Sequence, residues 1–296
     1  MQLRSSFWVG VWPGAFIAAM ALLPMLKLMW FGVYGSYASF GTEALSDGGA
    51  QLGFWQGWLG LWADDYMRSR MVWSITQAAV STALACLLGV PVAYVIARHD
   101  FAGRDALLRL MMLPFVVPTL VAAMGVLAWW GPTGVVGNHL YASGSDGDSP
   151  WLLIAGNLFF NLCVIVRAAV YGFSAQSATR LAAARSLGAT PWRAFWRIEL
   201  PSAAPHIYSA ACLVLLYCLG GFGLALLLGG QTYATAEVVI YTLVAHELEL
   251  VLASQLALWM LAMTGVLVAI YAKLQLSTAQ PRLAQLVALR VTRWSH

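Results

Sequence analysis

The stretch "LAAARSLGATPWRAFWRIELP" (Leu181–Pro201) is a basic, aromatic segment in an otherwise apolar sequence, and it is the best guide to the fold of this chain. It carries three arginines and three aromatic residues, although only 9% of the whole chain is charged. Two long runs without any Asp, Glu, Lys or Arg flank it, at 149–166 and 200–236. The nature of the loop therefore depends on what the flanking runs are.

The composition is that of a membrane protein. Hydrophobic residues make up 61% of the chain, against about 45–50% apolar residues in soluble domains. Several apolar runs reach the roughly 20 residues that a helix needs to cross about 30 Å of hydrocarbon. We therefore predict an all-α polytopic membrane protein with six transmembrane helices. The predicted spans are 9–31, 73–97, 108–130, 151–171, 203–228 and 250–272.

The distribution of charge predicts the orientation. With the N-terminus inside, 13 of the 16 Lys and Arg residues lie on the cytoplasmic side, which is the side they prefer. Both termini are then cytoplasmic, the loop 172–201 faces the cytoplasm, and the outer face is acidic. We divide the chain into a six-span domain, 1–272, and a basic tail, 273–296, which is an interfacial segment on membrane lipid or a linker.

The local signals of the loop predict two short helices around a glycine turn. The first helix runs over about 175–187, and Gly188 ends it as a left-handed C-cap. Thr190 is the expected N-cap of the second helix, with Pro191 at its first position. That helix is expected to end near Arg197, and Pro201 to start the next span.

The loop also resembles a known signature. In the EAA motif of ABC-importer permeases, small residues, a glycine, an aromatic residue and a Leu-Pro pair recur at fixed spacing. The positions that carry the resemblance here are Ala183-Ala184, Gly188, Phe195, Ile198 and Leu200-Pro201. Ala182 stands where that motif has its leading Glu, so any ionic role of that Glu is absent.

The resemblance implies the transmembrane-domain fold of a type I ABC importer. In that family the loop forms a coupling helix that inserts into a groove of a cytoplasmic ATPase. Trp192 and Phe195 would be apolar anchors, and Arg193 and Arg197 would pair with acidic rim groups. The expected ATPase-coupling residues are Ala183, Ala184, Gly188, Thr190, Pro191, Trp192, Arg193, Phe195, Arg197 and Pro201.

The expected partners follow from the same resemblance. The chain has no GxxxxGK[ST] nucleotide-binding loop, so ATP would be bound by a cytoplasmic ABC ATPase dimer. A periplasmic solute-binding protein and a second six-span half (a copy, a paralogue or a fused domain) would complete the importer. We expect no cofactor, metal, catalytic residue or nucleic acid. The alternative for the loop alone is that its arginines and aromatics lie on the anionic inner leaflet.

The expected solute is thiamine. "LFFNL…R" (Leu158–Arg167) and "LLLGGQTYATAEVVIY" (Leu226–Tyr241) resemble the first half of thiamine-importer permeases, which carry two six-span halves in one chain. Ferric-iron and polyamine permeases share the plan and are the alternatives. An acidic outer mouth suits any of these cations and would repel anions. Whether this chain is a whole subunit or a front half stays open.

Other classes of membrane protein fit less well. An ion-coupled carrier or channel would be expected to keep a charge at mid-span, and the predicted spans carry none. An intramembrane protease needs a catalytic pair, and the spans offer only the isolated His206. Asn157 and Asn161 are predicted to form interhelical hydrogen bonds, or else to line a polar path. Pro91, Pro114 and Pro118 are expected to kink their spans. Gly220, Gly221 and Gly223 are expected to allow close helix packing, with a hinge as the alternative.

Overall fold

The computed structural model describes residues 61–137, 149–175 and 178–293, with four single positions between 20 and 27 besides. Helices dominate this part of the chain. In order they are α1 (Asp65–Arg98), α2 (Arg104–Leu110), α3 (Thr119–Trp130), α4 (Pro150–Ser174), α5 (Ala178–Ser186), α6 (Pro191–Leu219), α7 (Phe222–Leu228), α8 (Ala236–Thr242) and α9 (Leu250–Arg293). A 3₁₀ turn covers Leu113–Phe115, and π-helical turns cover Phe195–Glu199 and Leu243–Glu247. The chain forms two compact units, Met1–Arg70 with Ala236–Ala262, and Met71–Thr235 with Met263–His296.

Four of the helices are long and apolar enough to cross a membrane, namely α1, α4, α6 and the Leu250–Gln275 part of α9. They confirm the predicted spans 73–97, 151–171 and 250–272. The predicted first span, 9–31, lies outside the described residues apart from those single positions. The inside placement of the termini stays a prediction.

The predicted third span, 108–130, is broken. The segments Arg104–Phe115 and Thr119–Trp130 meet at an angle of 101°. Pro118 is the N-cap of α3 and has extended backbone. Proline has no N–H to continue a helix and pushes the preceding residue out of helical conformation. The expected kink is therefore a full interruption.

The predicted fifth span, 203–228, was wrong at both ends. α6 already begins at Pro191 and ends at Leu219, and a separate helix, α7, starts at Phe222. Gly220 and Gly221 form the break, because glycine weakens a helix by roughly 0.5–1 kcal/mol per residue. These two glycines interrupt the span, and close packing is seen at the third predicted position, Gly223, where an added Cβ would lie 3.2 Å from Thr119 Oγ1.

Pro201 lies in the first turn of the α-helical segment Leu200–Leu219, next to the predicted boundary, but the helix as a whole is continuous from Pro191. The π-helical turn explains how the helix passes it. The Leu200 N–H donates to the Phe195 carbonyl, five residues back. Proline lacks an N–H, and its ring crowds the carbonyl four residues earlier. A wider turn just before it absorbs both effects.

The unit formed by 71–235 and 263–296 has a core in which α4 packs along α6 and the second half of α1 joins them. One cluster of this core comprises Ala93, Ile96, Val166, Ala169, Val170, Phe173, Ala203 and Ile207. Small residues set the spacing, since a Cβ on Gly172 would lie 3.1 Å from the Ala203 Cβ. Close backbone approach of this kind is the usual basis of helix packing in membranes. The three helices therefore fix the loop at one end of α6 and the helix break at the other.

The unit formed by Met1–Arg70 and Ala236–Ala262 is described here only from residue 61 onward, apart from those single positions. In it, Trp62 and Trp259 meet edge to face with ring centroids 6.2 Å apart. Leu248 has a φ of 59°, in the left-handed region, where the π-helical turn after α8 ends. The Glu249 N–H donates to the Leu243 carbonyl at 2.9 Å and closes that turn before α9 begins.

Candidate functional site

The turn between α5 and α6 has the predicted glycine cap. Gly188 has a φ of +82°. Its N–H donates to the Arg185 carbonyl, and the Ala189 N–H donates to the Ala184 carbonyl, both at 3.0 Å. These two bonds form the Schellman arrangement that ends a helix on a left-handed residue. The predicted C-cap is confirmed, although α5 is shorter than the expected 175–187.

The start of α6 is also as predicted. Thr190 is the N-cap, and its Oγ1 accepts a hydrogen bond from the Arg193 N–H at 3.4 Å. Pro191 occupies the first helical position, where its missing N–H costs nothing. The two adjacent caps join α5 to α6 by a tight turn. This segment, 178–201, is called the hairpin below.

The hairpin presents an exposed apolar face. Leu187 is 88% exposed, Trp192 70% and Trp196 51%. The rings of Trp192 and Trp196 meet edge to face with centroids 5.6 Å apart. Trp196 was missed among the candidate residues, although its spacing of four from Trp192 places it on the same helix face. An exposed indole pair is the kind of surface that anchors a protein partner.

Phe195 points into the fold, opposite to this exposed face. Its ring centroid lies 4.9 Å from that of Tyr94 in α1 and 6.3 Å from that of Phe173 in α4. Tyr94 and Phe173 are themselves 5.5 Å apart, edge to face. The three rings fasten the start of α6 to α1 and α4. Phe195 still stacks on Trp192 at 6.3 Å, so it supports the exposed indole from below.

An ion pair fastens the same region. Arg98 Nη2, at the end of α1, lies 2.6 Å from Glu199 Oε1 in the π-helical turn. The Glu199 side chain is 2% exposed, and that of Arg98 is 27% exposed. Sequence reasoning missed this pair. The available signal was an acid at the start of an uncharged run, on the predicted cytoplasmic side where the second span ends in Arg98.

The predicted coupling residues therefore lie together in one hairpin but play different local parts. Trp192, Arg193 and Arg197 are exposed, whereas Phe195 is half-buried. Ala183 and Ala184 lie in α5, and Pro201 is an exposed residue inside α6. Their role in contacting an ATPase stays a prediction.

A second candidate site is a cavity of about 380 Å³ where α3, α4, α6 and α7 meet. Its wall includes both asparagines of α4, both sides of the two helix breaks, and several aromatic rings. Residues at the wall include Phe115, Thr119, Asn157, Asn161, Tyr217 and Gly221. The asparagines thus form the predicted interhelical hydrogen bonds and line a polar space as well.

Buried amides behind this cavity connect three helices. The Asn157 Nδ2 donates to Gln77 Oε1 at 2.8 Å and to Ser81 Oγ at 3.4 Å. The Gln77 Nε2 donates to the Cys218 carbonyl at 2.9 Å. Gln77 and Asn157 are each 1% exposed and Asn161 4%. Buried amides need partners, and here they find them across α1, α4 and α6; Gln77 was missed in the sequence.

Possible metal ligands and His206 are the remaining candidates for chemistry. Within the part of the chain that the structure describes, no three His, Cys, Asp or Glu side chains group closely enough to hold a metal ion. His206 lies at a smaller cavity of about 210 Å³ with Tyr171, Ser209, Tyr271 and Gln275. The His206 ring stands edge-on to Tyr171 at 5.2 Å, which is a packing contact.

Comparison with known proteins identifies the relatives of this architecture. The family described as "Binding-protein-dependent transport system inner membrane component" matches residues 85–285. This range covers more than two thirds of the chain and includes the hairpin, the ion pair and the cavity.

Two individual relatives are permease proteins of transport systems. The thiamine transport system permease protein ThiP of Escherichia coli is 30% identical over 206 residues, which are 68% of this chain and 38% of that protein. The molybdate/tungstate transport system permease protein WtpB of Thermococcus kodakarensis is 34% identical over 177 residues, 60% of this chain and 66% of that protein. The chain thus spans well under half of the length of the thiamine relative.

Solved structures share the fold. A bacterial ABC transporter involved in the import of the acidic polysaccharide alginate has a chain that matches with a TM-score of 0.70 and 19% identity. The match covers 92% of this chain and 95% of that one. The same transporter in complex with an alginate-bound periplasmic protein matches with a TM-score of 0.68. The chain therefore has the fold of an ABC-importer transmembrane domain.

Proposed function

We propose a function from one premise: the chain belongs to the family of binding-protein-dependent transport system inner membrane components. It is accordingly a multi-pass inner-membrane transport component. The proposal is that it serves as a permease subunit of an ATP-driven ABC importer. In this role it passes a solute, delivered by a periplasmic binding protein, into the cytoplasm without changing it chemically.

The observation that carries the proposal is the exposed indole face on a rigid hairpin. Trp192 and Trp196 lie on the surface with Arg193 and Arg197 beside them. Below this surface, Phe195 and Glu199 are held to α1 and α4. A cytoplasmic ABC ATPase would take the indoles into a groove and pair its acidic rim with the arginines. Movement of the ATPase would then pass through the hairpin into the spans.

The importer would need further subunits. We propose an ATPase dimer that binds ATP, a periplasmic solute-binding protein, and a second six-span half. That half is a copy of this chain, a paralogue or a fused domain. Alternating access to a path between the two halves would move the solute.

We propose thiamine as the solute. Support comes from the thiamine permease relative and from the predicted acidic outer face, which favours cations. Ferric iron and polyamines are alternative cations. A molybdate-type oxyanion is the second candidate, because molybdate permeases are equally similar in sequence.

Uptake by whole cells tests both levels of the proposal. Cells lacking the gene should lose uptake of radiolabelled thiamine at nanomolar supply, and the wild-type chain should restore it. Uptake of molybdate, iron and a polyamine is measured in parallel. If only molybdate uptake is lost, molybdate replaces thiamine as the proposed solute, and the proposed importer function stands. If uptake of every tested solute stays normal, the importer function itself is refuted.

A further inference from the structure

The amide groups around the cavity between α3, α4, α6 and α7 have a fixed orientation. Gln77 Nε2 donates to two backbone carbonyls, those of Cys218 at 2.9 Å and Ser74 at 3.2 Å. A carbonyl can only accept, so the nitrogen of Gln77 must face these groups. Its Oε1 therefore faces Asn157, which in turn must present its Nδ2. Asn161 is fixed in the same way, because its Nδ2 donates to the Asn157 backbone carbonyl at 2.9 Å.

The amide N–H groups of both asparagines are used up by this arrangement. Asn157 Nδ2 donates to Gln77 and Ser81, and Asn161 Nδ2 donates to the Asn157 carbonyl and to Cys218 Sγ at 3.5 Å. What remains for a ligand are the two side-chain carbonyl oxygens, which are acceptors. Asn157 Oδ1 faces Gly221 on the wall, since a Cβ on that glycine would lie 3.7 Å from it. The amides thus offer acceptors to the cavity and no donors.

Aromatic rings form the other part of the wall. Phe115, Tyr217 and Phe222 line the cavity, and the first two meet edge to face at 6.3 Å. Ring faces attract cations. No residue lining the cavity within the described chain carries a charge, so the lining offers no Arg or Lys to pair with an oxyanion.

The helix ends at the cavity do not reverse this preference. The N-terminus of α3 reaches it at Thr119, and the C-terminus of the longer α6 reaches it at Gly220. Their partial charges have opposite sign, about half a unit each, and offset one another. α7 is only two turns long and starts at Phe222. The side chains therefore decide which charge the cavity favours.

We infer that this cavity is a contact site for an organic cation that bears N–H donors, with the oxygens of Asn157, Asn161, Thr119 and Tyr217 as acceptors and the rings as cation-binding faces. Its volume lies within the roughly 300–1,000 Å³ typical of small-molecule pockets. The inference rests on the proposed importer function and gives it a solute class, because it favours a thiamine-like cation over a molybdate-type oxyanion.

Two variants that place opposite charges at Thr119 test the sign of the charge on the ligand. Thr119 is exposed and begins α3, so both Thr119→Glu and Thr119→Lys can be accommodated. Binding of radiolabelled thiamine and of molybdate to the purified full chain in lipid nanodiscs is measured by equilibrium dialysis. Thiamine should bind the Lys variant roughly tenfold or more weakly than the Glu variant, because charges a few ångströms apart near a protein surface interact strongly. The same two substitutions at Ser202, an exposed residue of α6 that does not line the cavity, should change nothing.

Two uncharged variants give an independent test in case the charged variants misfold. Tyr217→Leu removes a ring and a hydroxyl from the cavity, whereas Tyr208→Leu removes the same groups from an exposed position of α6 that does not line it. Only the first should weaken thiamine binding, by several fold. Thiamine binding that ignores both pairs, no thiamine binding at all, or molybdate binding that the Lys variant tightens would each overturn the site. Loss of the importer function would show separately, in cellular uptake.

Discussion

Arg98 Nη2 lies 2.6 Å from Glu199 Oε1, and this ion pair joins the end of α1 to the start of α6. It lies beside the Tyr94–Phe173–Phe195 ring cluster, so an ionic and an aromatic contact hold the same hairpin. The exposed indoles project from a base that is held to α1 and α4. In the proposed importer, this rigidity would let a push on the hairpin reach the membrane spans.

Removing Arg98 should destabilise the chain more than removing Glu199. Arg98→Met leaves a carboxylate that is 2% exposed without its counter-charge, and a stranded buried charge costs about 3–5 kcal/mol. Glu199→Gln leaves an arginine whose side chain is 27% exposed, although its Nε and Nη2 are buried, so it should cost less than Arg98→Met. Thermal unfolding of the purified chain in detergent measures both.

The double variant and an exposed pair are the controls for this prediction. Arg98→Met combined with Glu199→Gln should recover part of the loss, because no charge is left buried. Asp100 is fully exposed and lies 3.7 Å from Arg104, whose side chain is 27% exposed, so Asp100→Asn should leave the unfolding temperature nearly unchanged. Equal effects of Arg98→Met and Asp100→Asn would refute the structural role of the pair.

Gly188 should tolerate asparagine but not valine. Its φ of +82° is strained for a residue with a Cβ, although no atom lies within 4 Å of the added Cβ. The penalty is therefore one of backbone conformation alone, about 1–2 kcal/mol for an ordinary residue, and less for asparagine. Thermal unfolding of Gly188→Val and Gly188→Asn should separate them; equal melting would show that the cap does not limit stability.

The hairpin could be predicted residue by residue because its signals are local. Gly188, Thr190 and Pro191 act through their own backbone preferences, and the structure has each in its predicted place. The three long spans that the structure confirms follow from apolar length alone. Composition cannot show where such a run is interrupted, so the breaks at Pro118 and Gly220 were underestimated.

The long-range partners could not be predicted. Gln77 is separated from the Cys218 carbonyl by 141 positions, and the ion pair joins residues from different helices. No local pattern encodes which face of α1 meets α6. Phe195 shows the same limit, since its spacing marked an aromatic anchor but could not indicate that the ring points inward.

The orientation of the chain gives a separate prediction. A cysteine at Ser145, which lies outside the described residues, should be labelled by an impermeant thiol reagent in intact cells. A cysteine at Ala189, in the hairpin turn, should react only after permeabilisation, because the loop carries Arg185, Arg193 and Arg197 and belongs on the positive inner side. Labelling of Ala189→Cys in intact cells would place the hairpin outside and exclude an ATPase contact.

The hairpin aromatics should separate docking from folding. Trp192 and Trp196 are exposed, so Trp192→Ala with Trp196→Ala should leave the melting temperature of the chain nearly unchanged. The double variant should abolish capture of the partner ATPase, because hot-spot residues typically contribute more than about 2 kcal/mol each.

Phe195→Ala removes a half-buried ring and should cost roughly 1–3 kcal/mol of stability. Phe195→Leu keeps apolar volume, so it should retain most of the stability that Phe195→Ala loses, and it should still capture the ATPase. Co-purification with the proposed partner ATPase and thermal unfolding are measured on the same preparations. If the double tryptophan variant still captures the ATPase, the exposed indoles are not the contact. If Phe195→Ala loses capture at unchanged stability, Phe195 contacts the partner directly and does not act by supporting Trp192.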